Sequence, residues 1–155
     1  ISNKEIKIRI MLSEKVKSLF SQKGYISLSK EERASYEKAL IDLGIPLESS
    51  FAEFNLSTIG PTFTERGYEL YNVCWFKIYS NDLDYAIESA HDELQLPDEY
   101  LPLDNFEAEE GFFYNRNTEE VLKLSIGPDL EDFQSGILHP QWKDFNSFLE
   151  WFFEV

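Results

Sequence analysis

The sequence predicts one α+β domain in which a mostly antiparallel, mixed β-sheet is flanked by N-terminal helices and closed by a C-terminal helix. Three observations carry that reading. Capped helical patterns crowd the first third of the chain, β-prone runs occupy the middle, and a strongly apolar helical pattern, FNSFLEWFF, stands near the end. A length of 155 residues suits a single core that buries about 68–70% of the unfolded surface. Aromatic residues make up 15% of the chain, 13 Phe among them, which is more than a disordered polymer carries.

Residues 1–28 read as a helical extension and residues 29–155 as the core of the domain. In the extension, Ile6, Ile8 and Ile10 alternate as in a strand, whereas Leu12, Val16, Leu19 and Phe20 recur at helical spacing up to Gly24. The reading is a helix from about Ser13, with Lys4 as its earliest start. Ser29 and Glu32 have capping-box spacing and open a second helix that runs to Leu43. In the stretch LGIPLESSFAEFNLSTIGP, Gly44 supplies a left-handed closure and Pro46 cannot continue the helix. Ser49 or Ser50 can then cap a short helix that carries Phe51, Phe54 and Ile59 inward, until Gly60-Pro61 ends it. The stretch is a packing corner with no reactive group in it.

From Tyr68 the run YELYNVCWFKIYS is aromatic and β-branched, so it reads as one or two strands, at least one of them buried. Asp82 is read as the cap of an amphipathic helix with Leu83, Ala86, Ile87, Ala90 and Leu94 inside and Asp84, Glu88, Asp92 and Glu93 outside. Residues 111–126, GFFYNRNTEEVLKLSI, form a hairpin pattern around Asn115 to Thr118, where Asn tolerates positive φ. Residues 127–141, broken by Gly and Pro, read as a loop. Phe145, Phe148, Leu149 and Phe152 form the apolar stripe of the closing helix.

The net charge of −15 is unevenly spread. Residues 1–81 are nearly balanced, with 11 Lys+Arg against 10 Asp+Glu, whereas residues 82–132 hold 2 against 16. A negative surface of that kind attracts cations and basic proteins and repels nucleic acid, phosphorylated substrates and anionic membranes. The plain alternative is a solvated face that keeps the protein soluble. Cys74 is the only cysteine, which excludes an intramolecular disulfide and fits a reducing compartment. No run approaches the ~20 apolar residues of a membrane span, and the N-terminus lacks the apolar region of a signal peptide. The expectation is a cytoplasmic protein.

Enzyme signatures are missing. No H-E-x-x-H, G-x-S-x-G, phosphate-binding loop or G-x-G-x-x-G occurs. Cys74 in YNVCWF reads as a core thiol, and His91 beside Asp92 as a solvated or helix-packed histidine before a cation ligand. The acidic runs NFEAEEG and GPDLEDF lack the ligand spacing of a calcium loop. No catalytic residue, metal ligand or cofactor is assigned, and the sequence assigns no oligomeric state.

The punctuation and apolar pattern resemble the SUKH superfamily of Smi/Knr-like proteins over roughly residues 29–155. Leu43, Gly44, Pro46, Phe51, Phe54 and Gly60 match its corner and short helix. Gly111, Tyr114 and Val121 match its hairpin, and Trp142, Phe145, Phe148, Leu149 and Trp151 its closing helix. The chain departs from the pattern at Ile59-Gly60-Pro61, where the family often has an N-G-G-like segment, and in the added helix near 82–95. The resemblance implies an immunity protein that binds and neutralises a cognate bacterial toxin, nucleases being common targets, with no catalytic residues to transfer. A regulatory scaffold or adaptor, as in the fungal members, is the alternative.

The acidic segment supplies a mechanism for the first of these. A nuclease presents a basic surface to its substrate, and an acidic inhibitor can occupy it with steered association. The partner-binding residues expected on that basis are Asp98, Glu99, Glu107, Glu109, Glu110, Asp129, Glu131 and Asp132, with Tyr100 and Phe112 as exposed aromatic anchors. The expected partner is therefore a basic toxin rather than nucleic acid or membrane.

Overall fold

A computed structural model describes residues 12–25 and 27–155. The Ile6–Ile8–Ile10 alternation and the earliest helix start at Lys4 lie outside them. Local capping decides the first elements. Helix α1 (Glu14–Lys23) starts where the Ser13 hydroxyl accepts from the Val16 amide and stops at Gly24, φ 64°. Helix α2 (Lys30–Asp42) opens on the full Ser29/Glu32 capping box. Gly44 then takes φ 77° and lets the Ile45 amide return to the Leu40 carbonyl at 2.9 Å. Helix α3 (Ser50–Asn55) is capped by Ser49, and its Phe51 and Phe54 are buried. Ile59, expected to point inward, is 39% exposed, because the helix has already ended and helical phase no longer applies to it.

Strands β1 (Thr62–Glu65) and β2 (Tyr68–Tyr71) form an antiparallel hairpin. Its two linking residues, Arg66 and Gly67, both have positive φ, as a two-residue turn matched to strand twist requires. The rest of the expected strand run is a helix, α4 (Val73–Tyr79). The reason lies in one buried side chain: Asn72 Oδ1 accepts from the Cys74 and Trp75 amides and starts the helix, while its Nδ2 donates to the Asn55 and Thr58 carbonyls. Tertiary anchoring thus overrides the β propensity of VCWFKIY. Helix α5 (Asp82–Asp92) follows, and Asp82 is its first residue rather than its cap; Ser80 Oγ accepts from the Asp82 amide.

Strands β3 (Tyr100–Pro102), β4 (Glu110–Asn115) and β5 (Val121–Ser125) make a three-stranded antiparallel sheet in that order. The expected hairpin is present, but the left-handed residue of its turn is Glu119, φ 67°, while Asn115 accepts from the Asn117 and Thr118 amides. Residues 128–134, expected as loop, form helix α6 (Pro128–Gln134), with Pro128 in its first turn and Asp129 and Glu131 at the end where the helix dipole favours anions. Asp144 caps the closing helix α7 (Phe145–Phe153).

The sheet is covered on both faces. Alternation along β4 sends Phe112 and Tyr114 into the main core with α1 to α4 and α7, where Tyr114 stacks on Phe51 at 4.1 Å. Phe113 points the other way, into a second cluster with Leu122, Leu124, Leu94 and Leu96, closed by Leu130 and Phe133 of α6. The outer edge of β5 is occupied too. Val121 pairs with Trp142, and the Gln141 amide side chain bonds both the N–H and the C=O of Lys123, at 2.8 and 3.0 Å.

Candidate functional site

The connection from β3 to β4 is built around one carboxylate. Asp104 accepts from the Phe106 amide at 3.0 Å through Oδ1 and from the Phe112 amide at 3.1 Å through Oδ2. Position 111 must be glycine for this: a Cβ there would lie 2.4 Å from Asp104 Oδ1. Between these points Phe106, Ala108 and Glu109 all take left-handed backbone angles near 60°. Such conformations cost non-glycine residues roughly 1–2 kcal/mol each, so the surrounding contacts hold the segment in place.

This reversal and the β1–β2 hairpin form the two walls of a cleft of about 360 Å³. Tyr68, Glu69 and Tyr71 line one side, and Asp104, Glu107 and Glu110 the other. Burial, with the Glu110 charge adding to it, pushes Asp104 up to about 7 against the pull of its two amide donors. The Tyr71 hydroxyl is pushed up to about 12, first by burial and then by the charges of Asp82, Asp104 and Glu69. One cation stands at the rim: the Lys123 ammonium lies 5.7 Å from the centre of the Tyr68 ring and 3.9 Å from Glu110. The cleft offers dispersed negative charge and two aromatic rings on one wall, a setting that a basic side chain fits. Among the described residues no group of three or more His, Cys, Asp or Glu side chains is arranged to hold a metal ion.

The sequence-predicted binding residues fall into two places. Glu107 and Glu110 line the cleft, Glu109 lies between Ala108 and Glu110 outside its lining, and Asp129 joins that end of the sheet: it accepts from Ser125 at 2.9 Å, and the Ile126 amide bonds the Glu109 carbonyl. Glu131 is exposed and Asp132 half-buried on α6. Asp98 and Glu99 lie at the opposite end, beside the hairpin turn, where Tyr100 pairs with Asn115. The length of β4 separates the two groups by about 17 Å. The two expected anchors are not exposed. Phe112 is 0% accessible and Tyr100 9%, since both belong to a sheet covered on both faces; the Tyr100 ring meets Phe133 edge-on.

Sequence reasoning missed Tyr68, Glu69, Tyr71 and Asp104. The first three come from a hairpin whose turn signal, Arg66-Gly67, was available but not read. Asp104 has no local mark beyond Gly111 seven residues on. Cys74 is a buried thiol that donates to the Tyr36 carbonyl at 3.5 Å and is pushed up to about 12, so it is no nucleophile. His91 is exposed between Asp92 and Asp98, 3.0 Å from each, and both hold its pKa up. Among the described residues no helix is long and apolar enough to cross a membrane. Compared with models of known families, with curated proteins and with solved structures, the chain matches none.

Proposed function

We propose that this protein acts by binding, in the cytoplasm and without catalysis, as a Smi/Knr-like immunity protein that neutralises a basic toxin by covering its cationic surface. The observation that supports the reading is the cleft: four carboxylates from distant parts of the chain face one recess, with Lys123 near only one of them, Glu110. A toxin Lys or Arg entering there gains charge-assisted bonds in a partly desolvated site, and the wider negative field speeds encounter. A nuclease, whose active surface must be basic, is the partner class that fits best.

The test is co-expression with the toxin encoded beside the gene, scored for cell survival, together with association rates at two ionic strengths. Glu107→Lys/Glu110→Lys should abolish protection and slow association. Glu48→Lys/Glu88→Lys, the same change in net charge away from the cleft, should leave both close to wild type. Equal protection by the two variants, with a salt-independent rate, would reduce the acidic segment to a solubilising face.

A further inference from the structure

We infer that the outer face of α4, formed by Trp75, Ile78 and Tyr79, is the apolar half of the docking surface whose acidic half is the cleft, and that its occupant is a basic protein presenting an apolar side chain beside a Lys or Arg. The inference rests on the binding reading given above and adds the position and chemistry of an anchor.

Spacing creates the strip, because residues i, i+3 and i+4 share one face of a helix. The inner face of α4 is taken by Val73, Cys74 and Phe76, all buried. On the outer face Tyr79 is 61% exposed and Ile78 39%, and Trp75 packs against the core by one side only, with its ring 5.5 Å from that of Tyr79. Tyr and Trp on a rigid helix lose little conformational freedom on binding and are the residue types that dominate interface energetics.

The strip is joined to the cleft. Trp75 meets Phe76 at 5.0 Å, and Phe76 stacks on Tyr71 at 3.8 Å; Tyr71 is part of the cleft wall. The Trp75 ring centre thus lies within about 9 Å of that of Tyr71, a distance that one standard interface patch of about 800 Å² per partner spans.

Charge selects the occupant. Lys77, on the same helix, is paired with Asp84 at 3.2 Å, while the adjoining helix opens on the exposed Asp82, whose charge reaches Tyr71 of the cleft wall. A second copy of this chain would bring another net −15 against that rim, so the surface suits a cationic partner and not itself.

The test uses the full chain, followed residue by residue by NMR, with three peptide probes: alternating Lys and Leu, deca-lysine, and alternating Glu and Leu. The Lys/Leu peptide should shift the amides of residues 75–79 and 107–110 together. Ile78→Ser/Tyr79→Ser should weaken that peptide at least tenfold and change deca-lysine binding less than twofold. If the double variant unfolds, Tyr79→Ser, at the more exposed site, carries the same comparison. Binding of the Lys/Leu peptide with residues 75–79 unmoved and affinity unchanged in the variant would overturn the anchor and leave the acidic cleft standing. Failure of deca-lysine to shift residues 107–110 would overturn the cleft reading and this inference with it. Equal binding of the Glu/Leu peptide would show an unselective apolar patch and overturn the inference alone.

Discussion

At the hairpin-turn end of the three-stranded sheet, the acidic chain is bound down by Arg116 and His91. Arg116 donates to the carbonyls of Leu43 at 2.8 Å, Glu99 and Asp98, and His91 reaches the carboxylates of Asp92 and Asp98. At the other end Glu69, Asp104, Glu107 and Glu110 surround an open recess with the Lys123 ammonium at its rim. Residues 82–132 contain two basic side chains, Arg116 and Lys123, one for each end. Arg116 closes its end because its rigid fork reaches three carbonyls at once, including that of Leu43 where α2 stops. Lys123 brings one point charge and comes near Glu110 alone of the four cleft carboxylates. The comparison teaches that charge density along a sequence does not identify a binding face; what matters is whether the fold ties the segment down, as Arg116 does through main-chain carbonyls, or leaves its carboxylates around a recess.

The largest expected effect tests the open end through pH. Asp104 titrates near 3.8 when unfolded and at about 7 when folded, so folding favours its protonated form. The stability this contributes is fully present below about pH 4 and is lost as pH rises through about 7, a change of at most about 4 kcal/mol. Asp104→Asn should flatten that slope in urea unfolding curves taken at pH 4.5, 6 and 8. A variant with the slope of the wild type would remove Asp104 as its source.

At the turn end, Arg116→Ala should lower stability by about 2–3 kcal/mol by stranding three carbonyls. Its counterpart in the cleft, Lys123→Met, should change stability by less than about 0.5 kcal/mol, as for an exposed ion pair. Equal losses by chemical denaturation would break the contrast between the two ends. The smallest effect belongs to His91. Its folded pKa is raised, so its contribution is present below about 6.5, its unfolded value, and is lost at higher pH. His91→Gln should therefore lower the melting temperature slightly at pH 6 and not at pH 9.

The parts of this architecture that were legible in the sequence are those set by local chemistry. Ser13, Ser29 and Ser49 bond amides within four residues of themselves, and Gly44 needs its left-handed angle whatever surrounds it. The parts that were not legible depend on distant neighbours. VCWFKIY turned helical because Asn72 anchors to carbonyls 14 and 17 residues away. Phe112 and Tyr100 could be read as surface anchors until α5, α6 and α7 covered both faces of the sheet. For the site, local acidity pointed to Glu107 and Glu110 but not to Glu69, which reaches the cleft from a different hairpin.

One side chain bears on how the protein keeps its own company. Gln141 imitates a strand, giving Lys123 on β5 the donor and acceptor that a neighbouring backbone would offer, while Trp142 does the same for Val121 through its main chain. The sheet therefore has no open template at this border for a second molecule to zip onto. Recognition by strand donation is closed off at Val121 and Lys123, and crowded or acidified solutions, in which mutual repulsion between copies weakens, find no ready seed for fibrous stacking on that part of β5.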